Sequence, residues 1–387
     1  MQNLVEKIVE LYRLRDFSFL TLILSLILLP LSINLSSIAL GTAIVLKILQ
    51  ILVKKKGFGV SKELMLSGLL GLAFLSYIFI KSIFLKEFKF TIASLEENSK
   101  YVLLLLIPFM LQKKAPNRLL IFGLFLGVII CVVFALCYSF FNGIPFNRYV
   151  FSTLFDIHHT YLSMFLLLTF NYILNINRHQ FPMVATVLFS ALIFYIIYSL
   201  NSKVSMVIFV IILAINLIWY SSKKNLVLYL SSIALVLLVF VKFINKDGVN
   251  YETALDYRTE IWQASIAQIK KNVVFGNLAQ DEKQLLNYQH FLSGKHYFLD
   301  MDINSHNQYL SIILKLGLLG LFIFLLYAVL FLKSLKNTFP IAESREALGF
   351  ALIIAITCFI ENIFDRHHGI VFFTVFYNYY IVLLADE

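Results

Sequence analysis

The sequence predicts an all-α membrane protein, a polytopic bundle of about twelve transmembrane helices. Of its 387 residues, 60% are apolar and only 14% are charged, and the mean hydropathy is +0.84. A soluble domain could not bury so large an apolar share. The apolar residues fall in many separate runs of roughly 20, the length a helix needs to cross a bilayer core about 30 Å thick. Barrel strands would instead give shorter segments of alternating polarity.

The predicted spans follow one another along the whole chain, and the fourth is the shortest. They are residues 17–33, 36–53, 64–83, 100–113, 118–141, 158–175, 182–200, 203–220, 226–244, 307–332, 347–363 and 368–384. A charged amphipathic stretch, residues 6–16, precedes the first span. Because no small-residue cleavage site follows that stretch, we expect no removed signal peptide.

The positive charge of the chain is interpreted as a topology signal. A net charge of +10 suggests nucleic-acid binding in a soluble protein, but here the Lys and Arg residues form short clusters between apolar runs. Alternate connections carry about twice as many of them as the others, which predicts that both termini are cytoplasmic. We expect no nucleic-acid partner.

The three cysteines, Cys131, Cys137 and Cys358, lie inside apolar runs. Their spacing is not that of metal ligands, and we interpret them as packing residues. The cysteine pattern therefore predicts neither a disulfide nor a zinc site. Separately, we expect no cofactor.

One connection differs from the rest in length and polarity. Residues 245–306 are predicted to form a module outside the membrane, on the non-cytoplasmic side. It separates an N-terminal membrane region, 1–244, with about nine spans, from a C-terminal one, 307–387, with about three. Apolar residues recur in the module at helical spacing, which predicts an amphipathic helix lying on the membrane surface: Leu255, Trp262, Ile266, Ile269 and Val273. Arg258 falls within this apolar stripe.

The non-cytoplasmic connections are rich in side chains that a transporter, channel or enzyme would use. They are His158, His159, Asn201, Ser202, Lys203, Arg258, His306, Asn307, Glu361, Asp365, Arg366, His367 and His368. The pattern that stands out among them is the polar run 304–309 at the end of the large loop, which leads directly into an apolar span.

Each candidate also has a purely structural interpretation. Lys203 is also explained as a flanking residue that extends its ammonium group to the membrane surface. His158 and His159 are equally explained as helix-capping residues, and the cluster from Glu361 to His368 as a solvated turn between two spans. Arg258 is open to an explanation by loop packing, although an arginine on an apolar stripe near the membrane usually has an anionic partner.

Several ordered motifs in roughly residues 150–385 make the chain resemble the O-antigen ligase and O-antigen polymerase superfamily of bacterial envelope glycan enzymes, particularly its Bacteroidetes-like branch. The motifs are His159-Thr160-Tyr161; Asn201-Ser202-Lys203, where the family usually has Ser-Arg; Asp256-Tyr257-Arg258 with Trp262; Phe275-Gly276-Asn277; Asp281 with Leu285 and Tyr288; Asn304 to Leu310 with a Gly-containing helix behind it; and Glu361-Asn362 to Arg366-His367-His368-Gly369. The first 150 residues agree with the family only in being hydrophobic spans.

The resemblance implies a metal-independent membrane glycosyltransferase of the GT-C type in the bacterial inner membrane. Such an enzyme moves a glycan from an undecaprenyl-pyrophosphate carrier to an acceptor, on the periplasmic face. One physical argument agrees with this implication. Nucleotide sugars stay in the cytoplasm, so glycan transfer on the outer face needs a lipid-linked donor, whose diphosphate is an anion that basic residues would bind.

The resemblance also implies roles for individual residues. Arg258 would bind the donor diphosphate and stabilise the charge that builds on the leaving group. Lys203 would be a second cation, although a lysine lacks the bidentate geometry of the family's arginine. His306 would accept the proton of the attacking hydroxyl or position the acceptor. Further polar contacts are expected from Asn307, Glu361, Arg366 and His159.

The sequence does not distinguish between several reactions. A ligase would transfer a finished O-antigen to lipid A-core, a polymerase would join lipid-linked repeat units, and a third possibility is transfer of a glycan to protein. A transporter or flippase is the alternative from another class. It predicts spans broken by Gly or Pro, paired intramembrane charges and related halves. The chain has only 6 Pro residues and no evident similarity between its halves.

Overall fold

The computed structural model describes residues 16–54, 60–83, 98–111, 117–175, 183–219, 251–277, 281–299, 301, 303–338 and 342–385. Every regular element in these ranges is helical, which confirms the all-α class. The ninth predicted span, 226–244, and the amphipathic stretch before residue 16 lie outside the described residues.

The described residues form fourteen α-helices, numbered in chain order. They are α1 (Phe17–Leu28), α2 (Ile33–Lys54), α3 (Lys62–Ile83), α4 (Val102–Leu106), α5 (Arg118–Asn142), α6 (Arg148–Phe155), α7 (His159–Asn175), α8 (Met183–Ser199), α9 (Lys203–Trp219), α10 (Tyr251–Ile269), α11 (Glu282–Leu292), α12 (Gln308–Thr338), α13 (Ala342–Ile360) and α14 (His367–Ala385). Short 3₁₀ turns lie at Ser99–Tyr101, Ile107–Phe109, His296–Phe298 and Ile363–Asp365.

Five of the described helices are long and apolar enough to cross a membrane. They are Ile33–Val53, Lys62–Ile83, Arg118–Asn142, Gln308–Lys336 and His367–Ala385. Shorter apolar helices lie at Phe17–Leu28, Ser99–Phe109, Ala185–Ser199 and Lys203–Asn216. The membrane character of the chain is thus supported, while a total of twelve spans remains a prediction.

The bundle is built around α7 and α14, which are buried along almost their whole length. Helix α2 lies at the periphery and exposes many large apolar side chains, as a lipid-facing helix does. Helices α7, α12 and α14 begin, and α13 ends, at one end of the bundle, called here the site end.

The helix predicted inside the 245–306 module is present as α10, but its buried face differs from the predicted stripe. Ile261, Ser265 and Ile269 are buried against α11 and α12, whereas Ile266 and Val273 are exposed. Small and polar residues thus form part of the packed face, and a pattern of apolar residues alone does not find them. Helices α6 and α11 were not predicted either.

Helix α12 is broken at Gly317, inside its apolar segment. Gly317 has φ 70° and ψ −172°, a backbone conformation open almost only to glycine. A methyl group at this position would lie 2.1 Å from the carbonyl oxygen of Val274. The break therefore depends both on the conformational freedom of glycine and on its lack of a side chain.

The backbone groups that the break removes from the helix find partners from two other segments. The amides of Leu318 and Leu319 donate to the carbonyls of Val273 (2.9 Å) and Val274 (3.3 Å), which follow α10. The three carbonyls just before the break also accept hydrogen bonds. Asn277 N donates to Leu314 O (2.7 Å). From α3, Lys81 Nζ donates to Lys315 O (3.0 Å) and Tyr77 Oη to Leu316 O (2.7 Å). The turn 273–277, which includes the motif Phe275-Gly276-Asn277, thus completes the broken helix together with Tyr77 and Lys81, because buried backbone groups need partners.

We predict that Gly317→Ala destabilises the folded protein by at least about 1–3 kcal/mol, the cost of forcing this backbone conformation on a residue with a Cβ. The measurement is thermal unfolding of the purified protein in detergent. Gly41→Ala is the matched control, because Gly41 also lies in an apolar helix and a methyl group there meets nothing within 4 Å. Equal melting temperatures for the two variants would contradict the prediction.

Candidate functional site

His306 lies at the site end. It is the last residue of the 245–306 module, in the short loop that leads into α12. Its backbone adopts a left-handed conformation with φ 45°. Histidine occurs there more often than most residues, but the conformation costs about 1–3 kcal/mol unless its surroundings enforce it. Strained residues of this kind cluster at functional sites.

Hydrogen bonds from three directions enforce this conformation. They run from Ser305 N to Glu282 Oε1 (2.8 Å), from Trp262 Nε1 to Ser305 O (3.1 Å), from His306 N to Asn304 Oδ1 (3.1 Å) and from Asn307 N to Asn362 Oδ1 (2.8 Å). The partners come from α10, α11 and the loop after α13. The His306 side chain is therefore presented from a rigid backbone.

Asn307 has a structural task at this position. Its Oδ1 accepts hydrogen bonds from the amides of Tyr309 (3.0 Å) and Leu310 (3.1 Å), so it caps the first turn of α12. Its side chain is buried. The side-chain oxygen expected to contact substrate is thus already used in helix capping.

Behind the His306 loop lies a buried ion-pair network centred on Glu282. This carboxylate accepts hydrogen bonds from Ser311 Oγ (2.5 Å) and Asn362 Nδ2 (3.2 Å) and lies 3.3 Å from Lys315 Nζ. Lys315 also lies 3.4 Å from Asp365 Oδ1, to which Lys100 Nζ is 3.3 Å away. Four segments of the chain are tied together by this network.

Asp365 remains ionised in this network. Burial raises the pKa of Asp365, but the charges of Lys315 and Lys100 and the hydrogen bond from Asn362 outweigh that effect. Its pKa therefore lies below the ordinary value of an aspartate. Ion pairs with Lys315 and Lys100 therefore hold the loop after α13 in place. It is not the solvated turn that was the alternative explanation of the cluster from Glu361 to His368.

Glu361, at the start of the loop after α13, faces His306. Its Oε1 lies 3.5 Å from His306 Nδ1. Burial raises the pKa of Glu361, but its interaction with His306, together with the charges of His158 and Arg258, brings it below its ordinary value. The carboxylate is therefore ionised at neutral pH, and it lies at ion-pair distance from the imidazole without a formed hydrogen bond.

Two arginines at the site have no carboxylate partner in a salt bridge among the described residues. Arg258, on α10, is half-buried, and burial lowers the pKa of its guanidinium while Glu361 partly restores it. Arg366, in the loop before α14, is exposed and close enough to influence His158 electrostatically. A guanidinium stays charged in either setting. Among the described residues, the two guanidinium groups therefore carry more positive charge than Glu361 alone neutralises.

The other predicted residues are not all drawn into this cluster. His159 begins α7, and its ring lies 4.1 Å from that of His158 between centroids. Lys203 begins α9 and is half-buried. No hydrogen bond or ion pair within the described ranges joins Lys203 to Arg258 or His306.

Sequence reasoning missed Glu282 and Lys315 as members of this region. Lys315 carried a usable signal, because it lies within the predicted span 307–332, and a charged residue in a span usually has a partner of opposite charge. Glu282 carried none, since a glutamate at the start of an amphipathic helix is ordinarily solvated.

The fold and the site together define a class: an all-helical membrane protein with a cationic, histidine-containing site at one end of its helices. Within that class, a family model described as O-antigen ligase matches residues 188–325. The match confirms the predicted resemblance to the O-antigen ligase superfamily. It includes Lys203, Arg258 and His306, whereas Glu361 and Arg366 lie beyond it. No curated protein matches the chain.

We predict that Glu282→Gln lowers the free energy of unfolding by about 3 kcal/mol or more, because it removes one of the two carboxylates that pair with buried Lys315 among the described residues. The matched control is Glu343→Gln. Glu343 pairs with Arg118 at 3.0 Å at the opposite end of the bundle, where exposure limits the loss to about 1 kcal/mol. Thermal unfolding in detergent measures both, and equal losses would show that the Glu282 network does not stabilise the protein.

The contribution of ionised Asp365 to stability depends on pH. A carboxylate whose folded-state pKa is lowered stabilises the protein above its unfolded pKa, about 3.9 for aspartate, and this contribution is lost as the pH falls through the folded value. We therefore expect the stability difference between the wild-type protein and Asp365→Asn to shrink as the pH falls from 7 to about 3. Melting temperatures measured across that range test this, and a constant difference would refute it.

Proposed function

We propose that the protein is an O-antigen ligase-like glycosyltransferase that transfers a glycan from an undecaprenyl-pyrophosphate carrier to lipid A-core in lipopolysaccharide biosynthesis. The matched family implies an O-antigen ligase or polymerase-like function. The proposal depends on the position of Arg258, which lies in a cluster with His306 and Glu361. Its guanidinium is half-buried and has no salt-bridge partner among the described residues. A diphosphate has the charge and the oxygen geometry that such an arginine binds.

In the proposed reaction, an acceptor hydroxyl attacks the anomeric carbon of the donor glycan. The new glycosidic bond forms as the bond between this carbon and the diphosphate oxygen breaks, and the electron pair leaves with the diphosphate. Arg258 stabilises the charge that develops on this leaving group. Arg366 adds positive charge nearby.

The proton of the attacking hydroxyl passes to His306 in this mechanism. The carboxylate of Glu361, 3.5 Å from Nδ1, favours the tautomer with the proton on Nδ1, which leaves Nε2 as the basic nitrogen. The constrained backbone of His306 fixes where that nitrogen lies, and fixed geometry is a large part of the catalytic effect of such a base. No metal ion has a part in this scheme.

Lys203 is proposed as a second, weaker contact to the diphosphate. It preserves the charge of the family's arginine but offers no planar fork for two oxygens. His159 is proposed as a polar contact at the edge of the site.

An apolar cleft of about 230 Å³ between α12, α13 and α14 supports a lipid-linked donor. It begins at Tyr309, in the first turn of α12 and three residues after His306, and is lined farther along by Phe324, Phe373 and Tyr377. We propose that it accommodates part of the isoprenoid chain next to the diphosphate.

The proposed setting is the bacterial inner membrane, with about twelve spans, both termini in the cytoplasm and the site on the periplasmic face. The 245–306 module then covers the site from the periplasm. This arrangement rests on the distribution of Lys and Arg along the chain and on the need for a lipid-linked donor outside the cytoplasm.

Polymerisation of lipid-linked repeat units uses the same donor chemistry and is the second candidate. Deletion of the gene in the native host, followed by gel analysis of lipopolysaccharide, separates the two. Loss of polymer with accumulation of lipid-linked long chains indicates a ligase, and a core that carries one repeat indicates a polymerase. Unchanged glycan would reject both.

We predict that Arg258→Ala and His306→Ala each abolish most complementation of that deletion at normal expression, because the first removes the diphosphate contact and the second removes the base. Arg118→Ala and His296→Ala are the matched controls. Arg118 lies at the opposite end of the bundle, and His296 is exposed on the module. Wild-type glycan in either site variant would show that the assigned role is wrong.

A further inference from the structure

The turn that follows α10 is apolar and exposed. Val273, Val274 and Phe275 are 37%, 47% and 55% exposed, and Gly276 then reverses the chain with φ 65°. Three consecutive apolar side chains on the surface of a polar module would be an unfavourable arrangement in water.

The position of this turn is fixed by the break in α12. Its carbonyls accept the hydrogen bonds from Leu318 and Leu319, and a Cβ on Gly276 would lie 2.4 Å from the amide nitrogen of Gly317. Leu318 and Leu319 are themselves exposed, and so is Phe322 one turn farther along. The three side chains of the turn therefore continue the lipid-facing surface of α12.

The depth of the turn follows from the length of the apolar helix. From Gly317 to Leu332, α12 extends over roughly 24 Å at 1.5 Å per residue, slightly less than the hydrocarbon thickness of about 30 Å. Lys333 and Lys336 mark the opposite membrane surface. The break, and with it the turn, lies near the boundary between hydrocarbon and headgroups.

A broken helix at this depth must be shielded from lipid. Irregular backbone is tolerated in a membrane only where protein or water satisfies its polar groups. The turn does this for Leu318 and Leu319 with its carbonyls, and its own side chains are apolar.

Two basic residues directly precede the apolar turn in the chain. Lys270 and Lys271 follow the end of α10 and are exposed, and Lys271 Nζ also lies 3.4 Å from Gln289 Oε1. Lysines next to an apolar insertion are the charge pattern that suits anionic headgroups.

We infer that the segment 270–275 is a membrane anchor of the module: Val273, Val274 and Phe275 insert into the leaflet at the site end, and Lys270 and Lys271 bind anionic lipid headgroups. The partner is thus a lipid surface, and the contact is made by the turn rather than by the face of α10. The inference does not depend on glycan chemistry and stands or falls separately from the proposed function.

The test is a depth measurement with a polarity-sensitive fluorophore on a single cysteine. Phe275→Cys is labelled in a Cys137→Ser background, because Cys137 is exposed while Cys131 and Cys358 are buried. The full-length protein is reconstituted in vesicles of phosphatidylethanolamine and phosphatidylglycerol, with or without spin-labelled lipid. Phe291→Cys is the matched control, since Phe291 is 58% exposed on α11 of the same module.

We expect the label at position 275 to emit at shorter wavelength, to lose most of its fluorescence with spin-labelled lipid and to resist aqueous iodide. The label at 291 should behave in the opposite way. Lys270→Glu, added to Phe275→Cys, should reduce quenching by lipid in phosphatidylglycerol vesicles. Quenching of the label at 275 by iodide alone, or equal quenching of both labels by lipid, would overturn the inference.

Discussion

The architecture of the site depends on one buried carboxylate, Glu282. It belongs to a helix of the module, yet its partners lie on α12 and on the loop after α13. A buried carboxylate is costly unless its oxygens are fully paired, and removing any one partner exposes that cost. The module is therefore held against the membrane helices by an interaction that tolerates little displacement. The position of His306 follows from it, because the same carboxylate binds the amide of Ser305.

The break in α12 solves a related problem by backbone chemistry. A continuous helix from Gln308 to Thr338 would run past the base of the module with no free backbone groups. The break at Gly317 exposes donors and acceptors, and the turn after α10 uses them. Side-chain charge at Glu282 and backbone pairing at Gly317 thus attach the module at two points along the same helix. Two attachment points restrict rotation of the module about α12, whereas a single attachment point would allow it.

The helical class, the positions of five membrane-spanning helices and the place of His306 directly before α12 were predictable, because they depend on apolar run length and on polar residues next to it. The orientation of α10 was not, because Ser265 and Gln268 help form its buried face. The partnership of Gly276 with Gly317 could not be predicted either, since it joins residues about forty positions apart through backbone groups that every residue has. Twelve spans and the roles of Arg258, Lys203 and His306 remain predictions.

A single broken span is also what a transporter would show, so the surroundings of the break decide how it is interpreted. In a transporter, irregular backbone lines the substrate path and changes its partners during transport. Here the groups freed at Gly317 are bound by the turn after α10 and by Tyr77 and Lys81 of a neighbouring helix. Arg258 and Arg366, which form no salt bridge with another described residue, lie elsewhere. A rigid backbone in one place and guanidinium groups available to an anion in another favour a fixed anion-binding site over a moving gate.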